Sequence, residues 1–191
     1  MIQSKSDLLF YKKADCLANI NRDTCSSLRM RINVWYGNDS YRFLLYMIAL
    51  RNYEYAINCL KGLSGVLRRT IAKIKWHRLG AKLNVNILPN VVGYGFRCPH
   101  LAGGGIIINC KSIGCNCTAN TGVIVGNNSK GGMPIIGDNV ELTIGSKVIG
   151  GVHIGNNVIV APNSVVVKDV PDNAVVSGVP AKIIKINGKT N

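Results

Sequence analysis

The spacing of apolar residues changes once along the chain. In "SYRFLLYMIALRNYEYAINCL", residues 40–60, apolar side chains recur every three or four positions, which is the period of one helix face. Asn38, Asp39 or Ser40 stands where an N-cap belongs. In "KGLSGVLRRTIAKIKWHRLGAK", residues 61–82, Leu63, Val66, Leu67, Thr70, Ile71, Ile74 and Trp76 are set among seven Lys/Arg and no acid. From about residue 83 the period becomes six. Ile136, Leu142, Val148, Ile154, Val160 and Val166 share one register, and Ile107, Ile113, Ala119 and Val125 share another. A second inward position lies four further on, at Cys117, Val123, Val140, Ser146, Val152, Val158 and Ser164. Small or turn-forming residues, among them Gly114, Gly126, Gly137 and Gly155, follow the first position.

A period of six fits neither a helix nor a hairpin. It predicts a parallel β-helix in which each hexad supplies a short strand and a turn, and three hexads close a triangular coil. No coil buries its inward face alone, so stability is shared between neighbours. The expected fold is therefore mainly β: an N-terminal α-helical segment over 1–82, a β-helix over 83–185 and a tail over 186–191. One interruption stands out. After Val125 the phase restarts at Ile136, so "GNNSKGGMP", residues 126–134, holds an excursion of about five extra residues. A glycine-rich loop leaving a rigid scaffold is a natural binding element.

Composition narrows the picture. With 47% hydrophobic and 17% charged residues, the chain has the means to form a core and is not of disordered type. Its 191 residues carry a formal net charge of +14, which favours a polyanion, an anionic membrane surface or a phosphorylated ligand. Residues 61–82 read either as a solvated helix with one packed face or as a basic amphipathic helix on anionic lipid. Nucleic acid is disfavoured because no reading motif accompanies the charge. The N-terminus "MIQSKSDLLFYKK" lacks a signal-peptide core. The seven cysteines form no paired ladder, so a reduced, cytoplasmic protein is expected.

Candidate chemistry is sparse. "RCPHLAGGGIII", residues 97–108, sets His100 before Gly103, Gly104 and Gly105, where backbone without Cβ allows close approach. From these residues alone His100 is either a catalytic group or a loop residue. Cys110, Cys115 and Cys117 are close in sequence, but hexad phase turns Cys117 inward as a filler and puts Cys115 at a turn, so no metal site is expected. A three-histidine zinc site of the β-helix carbonic anhydrase kind has only His100 and His153 to draw on, and His153 should face outward. His77 sits in the basic helix with no visible partner.

"IGNNVIVAPNSVVVKDVPDNAVVSGVPAKII", residues 154–184, closely resembles the C-terminal end of hexapeptide-repeat acyltransferases, and "SGVPAKII" is specific to that superfamily. The resemblance extends back through "PIIGDNVELTIGSKVIGGVHIGNN" and "GCNCTANTGVIVGNN" to "PHLAGGGIIIN", covering about residues 84–185. It is nearest the serine acetyltransferase branch, and within that the shorter members of capsule and lipopolysaccharide gene sets. The resemblance implies a left-handed coil, against the usual right-handed crossover. It also implies a homotrimer, with acetyl-CoA lying between adjacent coils. His100 matches the branch's catalytic histidine, a base for a hydroxyl attacking a thioester.

Two departures matter. Asn86 stands where the branch carries an aspartate that orients the histidine, so another acid, from the helical segment, is a candidate substitute. Met133 stands where the branch has a second histidine for the amino-acid substrate. By the same resemblance Thr143, Ile144, Gly145, Ala161 and Pro162 line the pantetheine, and Lys168 and Lys182 meet the CoA phosphates. The expected activity is acetyl-CoA-dependent O-acetylation of a saccharide hydroxyl in surface polysaccharide synthesis, in the cytoplasm or at the inner face of the membrane. Serine O-acetyltransferase is the alternative, and a non-catalytic β-helix binding or assembly module is the alternative of another class.

Overall fold

A computed structural model describes residues 1–128 and 131–186. Among them, four helices precede thirteen short strands. The helices are α1 (Lys5–Ile20), α2 (Ser27–Trp35), α3 (Asp39–Cys59) and α4 (Gly62–Leu83). The side chain of Asn38 caps α3, accepting from Tyr41 N–H at 3.2 Å. α1 and α2 go beyond the two helices that periodicity marks. Their starts are fixed locally: Ser4 accepts from Asp7 N–H at 3.0 Å and Ser26 from Arg29 N–H at 3.3 Å.

α3 is the central helix, burying Phe43, Leu44, Tyr46, Met47, Ala49 and Leu50. α4 departs from the packed-face expectation. Of its periodic residues only Trp76 is buried, whereas Leu63 is 91% exposed, Leu67 63%, Ile71 58% and Ile74 51%. The inner face is made by Gly65, Trp76 and Gly80 instead. A Cβ on Gly80 would lie 2.6 Å from Val85 O, so this close approach to the first strand requires glycine.

The strands form three parallel sheets. The first runs β1 (Val85–Ile87), β2 (Ile106–Ile108), β5 (Val123–Gly126), β8 (Lys147–Ile149) and β11 (Val165–Val166). The second holds β4 (Thr118–Ala119), β7 (Glu141–Leu142), β10 (Ile159–Val160) and β12 (Ala174–Gly178), closed by the antiparallel β13 (Ala181–Ile186). The third is β3 (Ser112–Ile113), β6 (Ile135–Ile136) and β9 (His153–Ile154).

An inward column runs along each sheet. Ile87, Ile108, Val125, Val148 and Val166 are in register in the first. Ala119, Leu142, Val160 and Val176 make the second, and Ile113, Ile136 and Ile154 the third. All six residues of the Ile136–Val166 register are at most 2% exposed. The upstream register needs one correction: Ile107 is 47% exposed, while Ile106 and Ile108 are buried. Side chains alternate along β2, so Ile108 rather than Ile107 belongs to the inward column and the step to Ile113 is five. The excursion is also visible in the register, since Val125 pairs with Val148 but Val148 pairs with Val166. Within it, 129 and 130 lie outside the described residues, as does the expected tail beyond Ile186.

Corners are held by stacked asparagines. Asn139, Asn157 and Asn173 adopt φ of 56°, 57° and 61°, and their amides bond down the column, Asn139 to Asn157 at 3.2 Å and Asn157 to Asn173 at 2.9 Å. Asparagine tolerates this left-handed backbone better than most side chains do.

The helices join the first coil through buried polar groups. Arg51, fully buried, donates to Asp15 at 2.9 Å, to Glu54 at 3.0 Å and to Val92 O at 2.8 Å. Asp15 also accepts from Gly95 N–H at 2.9 Å, and Asn19 one turn on donates to Phe96 O at 2.9 Å. Burial disfavours the Arg51 charge, but the two carboxylates outweigh it and hold the guanidinium above its ordinary value. Burial raises the Asp15 carboxyl while Arg51 opposes it. Because every hydrogen bond to Asp15 is one it accepts, the group is a carboxylate.

Candidate active site

His100 lies where the chain leaves the second sheet for the first. Its backbone is pinned on both sides. Its carbonyl accepts from Thr121 N–H at 2.9 Å, and Thr121 Oγ1 donates to Leu101 O at 3.4 Å. The N–H groups of Leu101 and Ala102 both donate to Asp39 Oδ2 at 3.1 Å. The first residue of α3 thus grips the two residues after the histidine. The imidazole is exposed, and no hydrogen bond joins it to another described residue.

The same corner continues down the coil. Gly145 N–H donates to Thr121 O at 3.0 Å, and Asn163 N–H to Ile144 O at 2.9 Å. This ladder brings His100, the 143–145 stretch and the 161–162 stretch onto one edge of the β-helix. Thr143 spends both polar groups inside the coil, its N–H and Oγ1 each bonding Val160 O. What this edge offers a ligand is therefore mainly the half-exposed Ile144, the partly exposed Ala161 and open backbone. Beyond Ala161, Ser164 Oγ accepts from Gly178 N–H at 3.1 Å, and β13 pairs the preceding Ser177 with Lys182.

Other expected residues are not brought together. No hydrogen bond connects Asn86 to His100 among the described residues. Asn86 points outward from the middle of β1, and the histidine belongs to the corner. Asn86 instead lines a cleft of about 430 Å³ with Trp76, His77, Gly80 and Gly104. Met133, 39% exposed, and Lys168 sit at a different corner, between the first and third sheets. Cys117 is buried as hexad phase requires. Its thiol donates to Gly137 O at 3.2 Å and is pushed up to about 11 by burial. His153 faces outward.

Sequence reading missed three side chains near His100. Asp39 figured only as a possible helix cap. Arg42 drew no reading and Lys82 only that of the basic 61–82 segment, yet both line a cleft of about 450 Å³ with residues 101–105. Nothing in the sequence ties residue 39 or 42 to residue 101; helix packing does.

The comparisons with known proteins agree with this architecture. The family described as bacterial transferase hexapeptide (six repeats) matches residues 133–168. Over those residues the chain is similar to the hexapeptide-repeat acyltransferases. A serine acetyltransferase of Staphylococcus aureus is 41% identical over 90 residues, 45% of this chain and 42% of that protein. That of Staphylococcus epidermidis is 40% identical over 91 residues, 46% and 43% of the two chains. The chain thus matches less than half the length of these curated relatives. Among solved structures, the serine acetyltransferase of Neisseria gonorrhoeae superposes with a TM-score of 0.69 at 28% identity, covering 97% of this chain and 68% of that one. The same enzyme in complex with serine gives 0.67 at 29%, with 95% and 71% covered. The coil of this hexapeptide-repeat chain is left-handed.

Proposed function

We propose that the chain is an acetyl-CoA-dependent O-acetyltransferase with His100 as general base. The observation that carries this is the single corner on which an exposed histidine stands in line with the 143–145 and 161–162 stretches. His100 takes the proton of an acceptor hydroxyl as its oxygen attacks the thioester carbonyl. The imidazolium then protonates the departing thiolate, so acetyl passes directly with no acyl-enzyme. Ile144 and Ala161 flank the pantetheine, with Lys182 and Lys168 as point charges for the CoA phosphates. Asn86 acts from the neighbouring cleft on the acceptor side rather than on the imidazole.

The relatives favour a serine hydroxyl as acceptor, and L-serine is the first substrate to test. A saccharide hydroxyl is the second reading, and it rests on Met133, a neutral side chain in the excursion. Release of CoA from acetyl-CoA, measured with L-serine and with a panel of sugars, separates the two. Under this proposal His100→Ala loses about 10²–10⁴-fold in kcat. Unchanged turnover in that variant would remove the base. No CoA release with any acceptor would leave a binding or assembly module.

The working unit in this reading is a homotrimer, built from a helical unit over 1–82 and a β-helix over 83–185. Three-fold symmetry lets the Met133 corner of one copy meet the His100 corner of the next. We also infer that α4 lies on an anionic membrane surface at the cytoplasmic side. Leu63, Leu67, Ile71 and Ile74 form an exposed apolar strip among cations, with no acid in the helix. Apposing two such helices would crowd like charges, which disfavours a second copy as the occupant. Among the described residues no helix is long and apolar enough to cross a membrane. Binding to phosphatidylserine vesicles that fades with salt is the expected result. No binding at low salt would end this idea.

A further inference from the structure

The cleft lined by the loop that follows His100 has a chemistry that general-base catalysis does not by itself require. It opens between the start of α3, the end of α4 and the loop from Leu101 to Gly105, with a volume of about 450 Å³. That is within the range of small-molecule sites. Two cations, Arg42 and Lys82, are on its wall. The nearby carboxylate, Asp39, is already engaged. Its Oδ2 accepts two backbone N–H groups, and Oδ1 lies 3.7 Å from Arg42 Nη1. That long contact leaves most of the guanidinium's donors unused, and about a third of the Arg42 side chain is exposed.

The glycines add to this. Gly103 has φ of 100°, and nothing lies within 4 Å of where its Cβ would be. Its N–H bonds no described protein group, so the backbone there is an open donor facing solvent. Open N–H groups in such a turn, next to a guanidinium and an ammonium, make an anion-binding concavity. Met133, at its separate corner, brings no charge to the task.

We propose that Arg42, Lys82 and the Gly103 backbone bind a carboxylate or phosphate group of the acceptor, placing its hydroxyl beside His100. The assignment builds on the acyltransferase reading and narrows the acceptor to one bearing an anionic group near the reacting hydroxyl. Arg42 offers the planar fork that suits either anion, and Lys82 offers a mobile point charge.

Paired acceptors that differ only in charge test the assignment: L-serine against L-serinamide, and a hexose against its 6-phosphate. Whichever pair is acetylated identifies carboxylate or phosphate as the natural group. Lys82→Gln and Arg42→Gln are each expected to lower kcat/KM for the anionic member about tenfold or more, leaving the neutral member and the KM for acetyl-CoA unchanged. Arg42→Lys should recover part of the loss, and its recovery guards against a folding defect. Equal losses on charged and neutral acceptors would overturn the proposal. A second measurement does not depend on catalysis: acetate and inorganic phosphate are titrated while the Gly103 amide is followed by NMR. A saturable shift that disappears in the Arg42→Gln/Lys82→Gln variant is expected, and no shift with either anion would sink the site. If acetyl transfer fails altogether, this titration still decides the anion site separately.

Discussion

Asp39 carries no chemistry of its own, yet it holds the backbone on which His100 depends. Two N–H groups share one of its oxygens, so removing it frees Leu101 and Ala102 next to the proposed base. Asp39→Ala should lower kcat about tenfold or more, because small misplacements of a catalytic group are costly. Asp39→Asn, whose amide oxygen still accepts N–H, should keep most activity, and equal damage from both variants would point to charge rather than positioning. Thiol reactivity is a second residue-scale outcome. Burial pushes Cys98 and Cys110 up to about 12, and Cys16 and Cys117 up to about 11. Thiolate is the reactive form, so at pH 8 iodoacetamide should label the partly exposed Cys25, Cys59 and Cys115 first. Mass spectrometry should find Cys98, Cys110 and Cys117 protected until the chain unfolds. The same shifts set a sign for stability. The folded values exceed the unfolded one, so the contribution is whole below about pH 8.5 and falls as pH rises toward 11–12.

Among elements, the joint between helices and β-helix is the most exposed to mutation. Arg51→Met would leave Asp15 and Glu54 buried without their cation, at a cost of about 3–5 kcal/mol. Thermal denaturation should show that loss shrinking as pH is lowered. Burial raises the Asp15 carboxyl, so it takes up a proton and no longer needs a cation, and that relief is lost again as pH rises through its folded value. A deficit independent of pH would show that packing, not charge, carries the joint. Tyr46 is a second clasp. Its hydroxyl accepts from Trp76 Nε1 at 2.9 Å and from Ile87 N–H at 3.0 Å, tying α3 to α4 and β1. Tyr46→Phe strands both donors and should cost about 1–3 kcal/mol. Gly80→Ala should separate α4 from β1 and thereby open the cleft lined by His77 and Asn86.

At the scale of the whole molecule, buried columns run from coil to coil, and the proposed chemistry gathers at the corners. One chain carries the His100 edge at one corner and the Met133 loop at another, so a complete site of the proposed kind needs copies side by side. Sedimentation should give about three times the 20.6 kDa chain mass, unchanged on dilution well below micromolar. A monomer with full activity would confine the site to one corner. Leu142, fully enclosed between Ala119 and Val160, tests the shared core: Leu142→Ala should cost about 2–5 kcal/mol and be felt in adjoining coils.

The hexad period alone determined the β-helix, its inward residues from Ile113 onward and the five-residue excursion, because a fixed step repeats one local environment. It mistook Ile107 for core because the first coils lack that fixed step. It also could not see α1 and α2, whose starts are set by single capping serines. Only the tertiary structure decided that Asp39 grips the His100 loop, that Asn86 lines a cleft with Trp76 and His77 and that Arg42 and Lys82 line another with the glycine loop. Each of these is a contact between the helices and the coil, and such contacts follow from how two surfaces pack, which a spacing along one chain does not encode.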